Sequence, residues 1–285
     1  MENLFTMPKK IIVLGTLLLL FSCSQDEMVN NGPEESTALS FTAKTSSDKL
    51  NVFKGPQVAL GFGKVRSWIS VNVKNGLPNE IGIEITPEAF KNLTTNNSKT
   101  LPPDHETIVV PLHLKATQST PFDHIGLNWN PRGHQPDGVF DVPHFDIHFY
   151  MISVEAQMAI PEWSPETDAA FNLYPPMGYM PADYGTPPGP ATAEPQMGKH
   201  WLPNNLGDYL PFSKIMIYGS YNGQLIFVEP MITLDYLLSN TDFSINYSQP
   251  EHFAKAGNYP TKYNIYHDAA TGNTYITLSE FVARN

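Results

Sequence analysis

Between residues 57 and 278 the chain repeats one pattern. Short segments rich in Val, Ile, Phe, Tyr and Thr are each closed off by Gly, Pro or Asn. Such spacing predicts β-strands separated by turns. The strands expected are 57–63, 67–73, 81–85, 107–112, 125–129, 144–154, 214–221, 224–233, 262–266 and 274–278. Asn222-Gly223, between two apolar runs, is the strongest hairpin signal, and Thr271-Gly272-Asn273 reads as another turn. Helices are expected to be few and short. Thr86-Pro87-Glu88 opens one through Leu93, with Thr at the N-cap and Pro in the first turn. Ser164-Pro165-Glu166 opens another through Phe171, and 235–238 forms a single turn. Seven prolines fall between 175 and 195, which excludes a central strand or helix interior there and predicts a long ordered loop. The fold expected is mainly β, an antiparallel barrel or sandwich forming a single domain over 41–285, with a few short helices.

Composition agrees. Of 285 residues, 26 are Pro and 19 Gly, 12% are aromatic and only 16% charged. A disordered chain would be aromatic-poor and highly charged, and a helical bundle rich in Ala, Glu, Lys and Leu. Net charge is −11, and the basic residues cluster only at Lys9-Lys10. A phosphate-binding surface is therefore missing, and nucleic acid is not an expected partner.

The N-terminus reads as an address. Lys9-Lys10 precede an apolar run from Ile11 to Phe21, too short for a membrane span but right for the core of an export signal. The run ends in Leu20-Phe21-Ser22-Cys23, which resembles the lipobox of bacterial lipoproteins, with Cys23 as the lipidated residue. Cys23 is the chain's single cysteine, so it has no internal disulfide partner. Residues 1–22 are then a signal peptide and 23–40 a polar tether, so the expected partner is a membrane, reached through the lipid. Ser24 after the Cys, in place of Asp, points by analogy to the outer membrane of the cell envelope.

Candidate chemistry concentrates between Gly133 and Tyr150. From residue 144 the alternation is strict: His144, Asp146, His148 and Tyr150 share one face of a strand, and Phe145, Ile147 and Phe149 the other. Polar strand faces ordinarily meet solvent, but they do so with Lys, Glu, Thr and Ser. Two His, an Asp and a Tyr in a row predict a polar pocket and, within it, a divalent metal, with zinc foremost. Same-face residues lie about 6.7 Å apart, so His144 and His148 are about 13 Å apart at Cα and share an ion only across a bend. The pairs expected are His144 with Asp146, or Asp146 with His148, the remaining His serving as base or orienting group. His200, where the Pro-rich loop ends, and Glu229, a carboxylate in the apolar row Leu225, Phe227, Met231, are the candidates to complete the ligand set. His134 is expected either to be catalytic, as a loop group or ligand, or to cap the 133–138 turn. His105, His252 and His267 read as solvated, His113 follows a strand end, and His124 bonds locally to Asp123.

Several classes are excluded. The chain has no Gly-x-Ser-x-Gly elbow, Walker loop, complete dinucleotide fingerprint or His-Glu-x-x-His helix. The lipid consumes its one thiol.

Asn128-Trp129-Asn130-Pro131, Gly133-His134-x-Pro136-x-Gly138, Pro143-His144-Phe145-Asp146-x-His148-Phe149-Tyr150, Met197-Gly198-x-His200-Trp201 and Glu229-Pro230-Met231 together resemble a bacterial family of exported domains of unknown function, typified by a Thermus protein with an unusual β-rich fold. The resemblance covers about residues 57–240 and implies a fold and an exported habit, not a reaction. Three readings stay open. The first is a divalent-metal-dependent hydrolase or isomerase acting on a small molecule. The second is a non-catalytic envelope protein with a structural metal or a small-ligand pocket. The third is a hydrogen-bond network serving protein contacts.

Overall fold

Val, Ile and aromatic side chains are stiff or bulky at Cβ and fit a pleated surface better than a helix. The computed structural model, which describes residues 49–95 and 107–285, accordingly builds its body from strands. Six form one antiparallel sheet in the order β1-β2-β3-β14-β13-β12: Leu50–Leu60, Gly63–Asn72, Pro78–Ile85, Thr274–Arg284, Gly257–His267 and Phe243–Asn246. A second antiparallel sheet runs β4-β5-β6-β11-β10-β9-β7: Ile108–Pro111, His124–Asn130, His144–Tyr150, Gln224–Thr233, Lys214–Tyr221, Gly198–Pro203 and Tyr184–Gly185. The two-residue β8, Ala193–Glu194, pairs with β9. Among the described residues the terminal strands of each sheet do not pair with one another, so the architecture is a sandwich and not a closed barrel. The lipobox, Cys23, the tether and His105 lie outside the described residues.

The core fills the space between the sheets. Ile125, Leu127, Phe145, Ile147, Phe149, Val228 and Ile232 meet Val65, Ile69, Ile81, Ile83, Ile276 and Leu278 in one buried cluster. The 222–223 hairpin forms as expected, with Asn222 and Gly223 at φ 48° and 77° joining β10 to β11, the left-handed pair such a turn demands.

Several boundaries differ from the sequence reading. The strand expected to run to 154 stops at Tyr150. Ser153 then caps a helix, α2 (Val154–Met158), by accepting from the Ala156 N–H at 3.2 Å. Thr86 does not cap the turn at Pro87–Phe90; its hydroxyl accepts from the Lys64 N–H. The helix expected at 164 begins only at Asp168, as α3 (Asp168–Phe171). A helix absent from the sequence reading, α1 (Leu114–Ser119), follows β4, and His113 caps it: its Nδ1 accepts from the Lys115 N–H. The turn at 235–238 forms as α4 (Leu234–Leu238), with Thr233 as its cap. Strands β7, β8, β9 and β12 are also additions to the sequence reading. Ser153→Ala is expected to lower stability by about 1 kcal/mol, the usual value of an N-cap hydroxyl. Thermal denaturation checks it, and an unchanged midpoint contradicts it.

What positions the site is the centre of the second sheet. Strand β6 lies between β5 and β11, and all seven of its residues are buried. Phe145, Ile147 and Phe149 enter the sandwich core. The opposite face is also covered, by side chains from the long connections: Phe140 and Phe212 pack with Ile215, Ile217 and Met231, and Ile160, Phe171 and Met197 pack with Tyr150 and Phe227. The polar row of β6 is thus enclosed. No helix among the described residues is long and apolar enough to cross a membrane.

Candidate metal centre

Six titratable side chains gather on the enclosed face, in two groups of three. His134, His144 and Asp146 form one; His148, His200 and Glu229 form the other. Within each group one ligand atom per residue lies within 4.8 Å of the rest.

Local structure aims each residue. Asp146 and His148 follow from strand alternation. Val228 pairs with Phe149 and Met231 with Asp146, which brings Glu229 beside His148 and on the same face. His200 arrives on β9, opposite Gly219. His134 comes from the connection between β5 and β6. Its N–H bonds the Phe140 carbonyl, and Gly133 beside it sits at φ 69° where a Cβ would strike that same carbonyl, so only glycine permits the turn.

The tautomers carry the chemistry. Nδ1 of His134 lies 2.7 Å from the Gln135 carbonyl, Nδ1 of His144 2.7 Å from the Val142 carbonyl, and Nδ1 of His200 3.0 Å from the Thr192 carbonyl. A carbonyl only accepts, so each Nδ1 carries the hydrogen, and wherever the ring is neutral its Nε2 presents a lone pair inward. Backbone acceptors orient metal-binding imidazoles in the same way.

Those lone pairs face carboxylate oxygens. His134 Nε2 is 3.4 Å from Asp146 Oδ2, and His144 Nε2 is 3.2 Å from Asp146 Oδ1. His148 and His200 Nε2 lie 3.4 and 3.6 Å from the same oxygen, Glu229 Oε2. Yet His144 Nε2, Asp146 Oδ1, both nitrogens of His148 and Glu229 Oε2 are buried without a hydrogen-bond partner. Buried polar atoms almost always find one. Acceptor facing acceptor is repulsive unless a cation or a proton sits between them. Asn130 steadies the first group, donating from Nδ2 to Asp146 Oδ2 at 2.6 Å.

Electrostatics separates the two carboxylates. Burial pushes the Asp146 carboxyl up, but the charges of His144 and His134 outweigh it and hold the group well below its usual range. Burial, and then the charge of Asp146, pushes Glu229 well above its usual value. Burial lowers His148 to about 3 and His200 to about 4. Burial also opposes protonation of His134, yet Asp146 and the Gln135 carbonyl leave it raised. Without an ion, then, Asp146 is held toward its ionised form and Glu229 toward its protonated form, while His148 and His200 are neutral at pH 7.

Access comes from two sides. The His144 and His148 side chains are fully buried, whereas His134 keeps 32% and His200 12% of its surface exposed. The β8–β9 hairpin borders this face. Its Gln196 carbonyl accepts from the Tyr150 hydroxyl at 3.2 Å. Thr192 and Gln196, neither a glycine, both sit at φ 64°, a conformation that costs energy and persists only when its surroundings enforce it. Glu194 lies between them; burial raises it most, His134 lowers it, and Asp146 raises it further.

The sequence-predicted residues are all here. His144 pairs with Asp146; the alternative pairing of Asp146 with His148 does not form, because His148 turns to Glu229 and His200. His134 joins the first group at ligand distance instead of capping its turn. His124 does bond Asp123, at 3.0 Å, and its other nitrogen meets Gln157 Oε1 at 2.8 Å while the ring stacks on Tyr150. His252 is exposed, as expected. His267 is not solvated: its ring nitrogens meet Asp242 Oδ1 and the Leu237 carbonyl. The sequence reading missed Asn130 and Glu194. Asn130 was detectable as the end of a period-two polar row on β5, with Gly126 and Asn128. Glu194, alone in a Pro-rich stretch, had no local signal. No protein-family model, curated protein or solved structure matches the chain.

Proposed function

We propose that this chain is a divalent-metal-dependent hydrolase whose ions are held by His134, His144 and Asp146 and by His148, His200 and Glu229. The observation that carries the reading is the convergence of six ligand-type side chains in two groups, with His144 Nε2, both His148 nitrogens, Asp146 Oδ1 and Glu229 Oε2 buried without partners and the far nitrogens of His134, His144 and His200 pinned to backbone carbonyls. Two His and one carboxylate are the ligand set of catalytic zinc sites, which keep a position open for water. Nitrogen-rich sets of this kind suit zinc over calcium or magnesium. The exposed edges of His134 and His200 give a small substrate a way in. An ion held by these residues would supply an activated water for hydrolysis. Glu194, outside both ligand sets, is the nearby carboxylate whose charge reaches His134.

The N-terminal lipobox puts this pocket in the cell envelope, tethered through Cys23 to the outer membrane. Cys23→Ser is expected to release the body from membranes; continued retention overturns the anchor.

Elemental analysis of the tag-free chain tests the metal. The wild type is expected to retain at least one equivalent of zinc or a similar ion, and the His144→Ala/His148→Ala variant much less. Metal well below one equivalent in the wild type, unchanged in the variant, overturns the reading.

A further inference from the structure

We infer that the two groups load together and jointly bind an oxyanion, a phosphate or carboxylate group that places one oxygen toward each ion. The inference rests on the metal reading above and assigns its substrate class.

Geometry comes first. Asp146 and His148 are two residues apart on one strand face, about 6.7 Å at Cα. The two groups therefore open side by side on a single surface, with ligands supplied by β6, β11, β9 and one loop. Each group offers three protein ligands. Each ion would then keep at least one coordination position free, on the same covered face of β6. Paired ions clamp two oxygens of one reacting group at about 3.5–4 Å separation, so the imidazole and carboxylate side chains must bring the ions together across the about 6.7 Å between their backbones.

Charge comes second. Ligating imidazoles are neutral and ligating carboxylates ionised. Two dications against Asp146 and Glu229 leave the loaded pocket two positive charges in excess, and Glu194 offsets at most one. The surrounding walls are Phe140, Phe212, Phe227 and Met231, all buried. Excess charge in such a medium is costly unless a counter-charge enters. The buried Lys199 is turned away, its Nζ donating to the Gly189 carbonyl, so it adds no competing cation site for the anion. An oxyanion supplies the missing charge and the two oxygens at once.

The test uses the full chain, stripped of metal and then titrated with zinc, with inorganic phosphate and acetate as probes at equilibrium. Two equivalents of zinc are expected, followed by one of phosphate or acetate, bound at least about tenfold more tightly than to the metal-free chain. The tighter probe assigns phosphate or carboxylate. His134→Ala and His200→Ala, at the two least buried ligands, are each expected to keep one equivalent of zinc and to lose about tenfold in anion affinity. Near-ultraviolet circular dichroism confirms that they fold. If either is unfolded, the Gln variant at that position takes its place. One zinc per wild-type chain, two zincs with no anion binding, or anion affinity unchanged in both variants overturns the inference and leaves the metal reading standing. No zinc at all overturns the metal reading itself.

Discussion

Zinc added to the metal-free chain will raise its thermal midpoint by about 10–20 °C, and EDTA will reverse the rise. The magnitude follows from linkage. An ion that binds only the folded state at a hundred times its dissociation constant adds about 2.7 kcal/mol, and two add about 5 kcal/mol. A domain of this size moves about 2–4 °C per kcal/mol. The folded pocket is what makes the binding specific to that state. Three backbone carbonyls hold three imidazoles in the ligating tautomer, and Asn130 holds Asp146. The unfolded chain keeps the same side chains but no such constraint, so its affinity is far lower. The matched control is His144→Ala/His148→Ala, which removes one nitrogen ligand from each group and is expected to shift by less than about 2 °C. A wild-type shift that small, or an equal shift in the variant, contradicts the pocket as a metal site.

Much of this was legible in the sequence, for a physical reason. A strand's side chains alternate with a period of two, so His144, Asp146, His148 and Tyr150 had to share a face wherever the strand lay. The about 13 Å between His144 and His148 likewise kept them from sharing one ion on a straight strand, but the spacing left the spare His as a base or orienting group, whereas it belongs to a second group of three. Glu229 announced itself as a carboxylate in an apolar row, because burying one alone is expensive. What local pattern could not supply was the pairing across strands. That Glu229 lies beside His148 and not Asp146 depends on the register of β6 against β11, set by the whole sheet. His200 sits in a strand whose only cue was a short apolar stretch after a Pro-rich loop. Its pairing with β10 gave it a definite face. The choice between sandwich and barrel was likewise global: it depends on whether β1 and β12 close on other strands, and among the described residues they do not.

Glu229→Gln is expected to make the metal-free chain more stable at neutral pH while removing one of its two ions. Glu229 is buried with its Oε2 lacking a hydrogen-bond partner, which is costly. Its folded pKa lies well above the ordinary carboxylate value, from burial and then from Asp146. A raised carboxyl contributes stability that is complete below the unfolded value near 4.5 and is lost as pH rises toward the folded one. His148 and His200 behave oppositely. Their folded values, about 3 and about 4, lie below the ordinary 6.5, so their contribution is full above 6.5 and is lost as pH falls. The metal-free wild type is therefore squeezed from both sides, and glutamine removes only the high-pH loss. Its amide donates at every pH, whereas the carboxyl does so only while protonated, toward the Nε2 lone pairs of His148 and His200 at the present 3.4 and 3.6 Å. A gain of about 1–3 kcal/mol at pH 7 follows, the usual penalty for a buried unpaired polar group. The gain should shrink to nothing below about pH 4.5, where wild-type Glu229 is protonated in both states. Denaturant unfolding from pH 4 to 8 in EDTA measures it, and zinc titration of the same variant measures the lost ion. A metal-free variant less stable than wild type at pH 7 would contradict the buried, uncompensated carboxylate. An ion bound in this pocket would relieve that instability, since burial without a partner is what makes the carboxylate costly, and stability at rest would be given up for affinity.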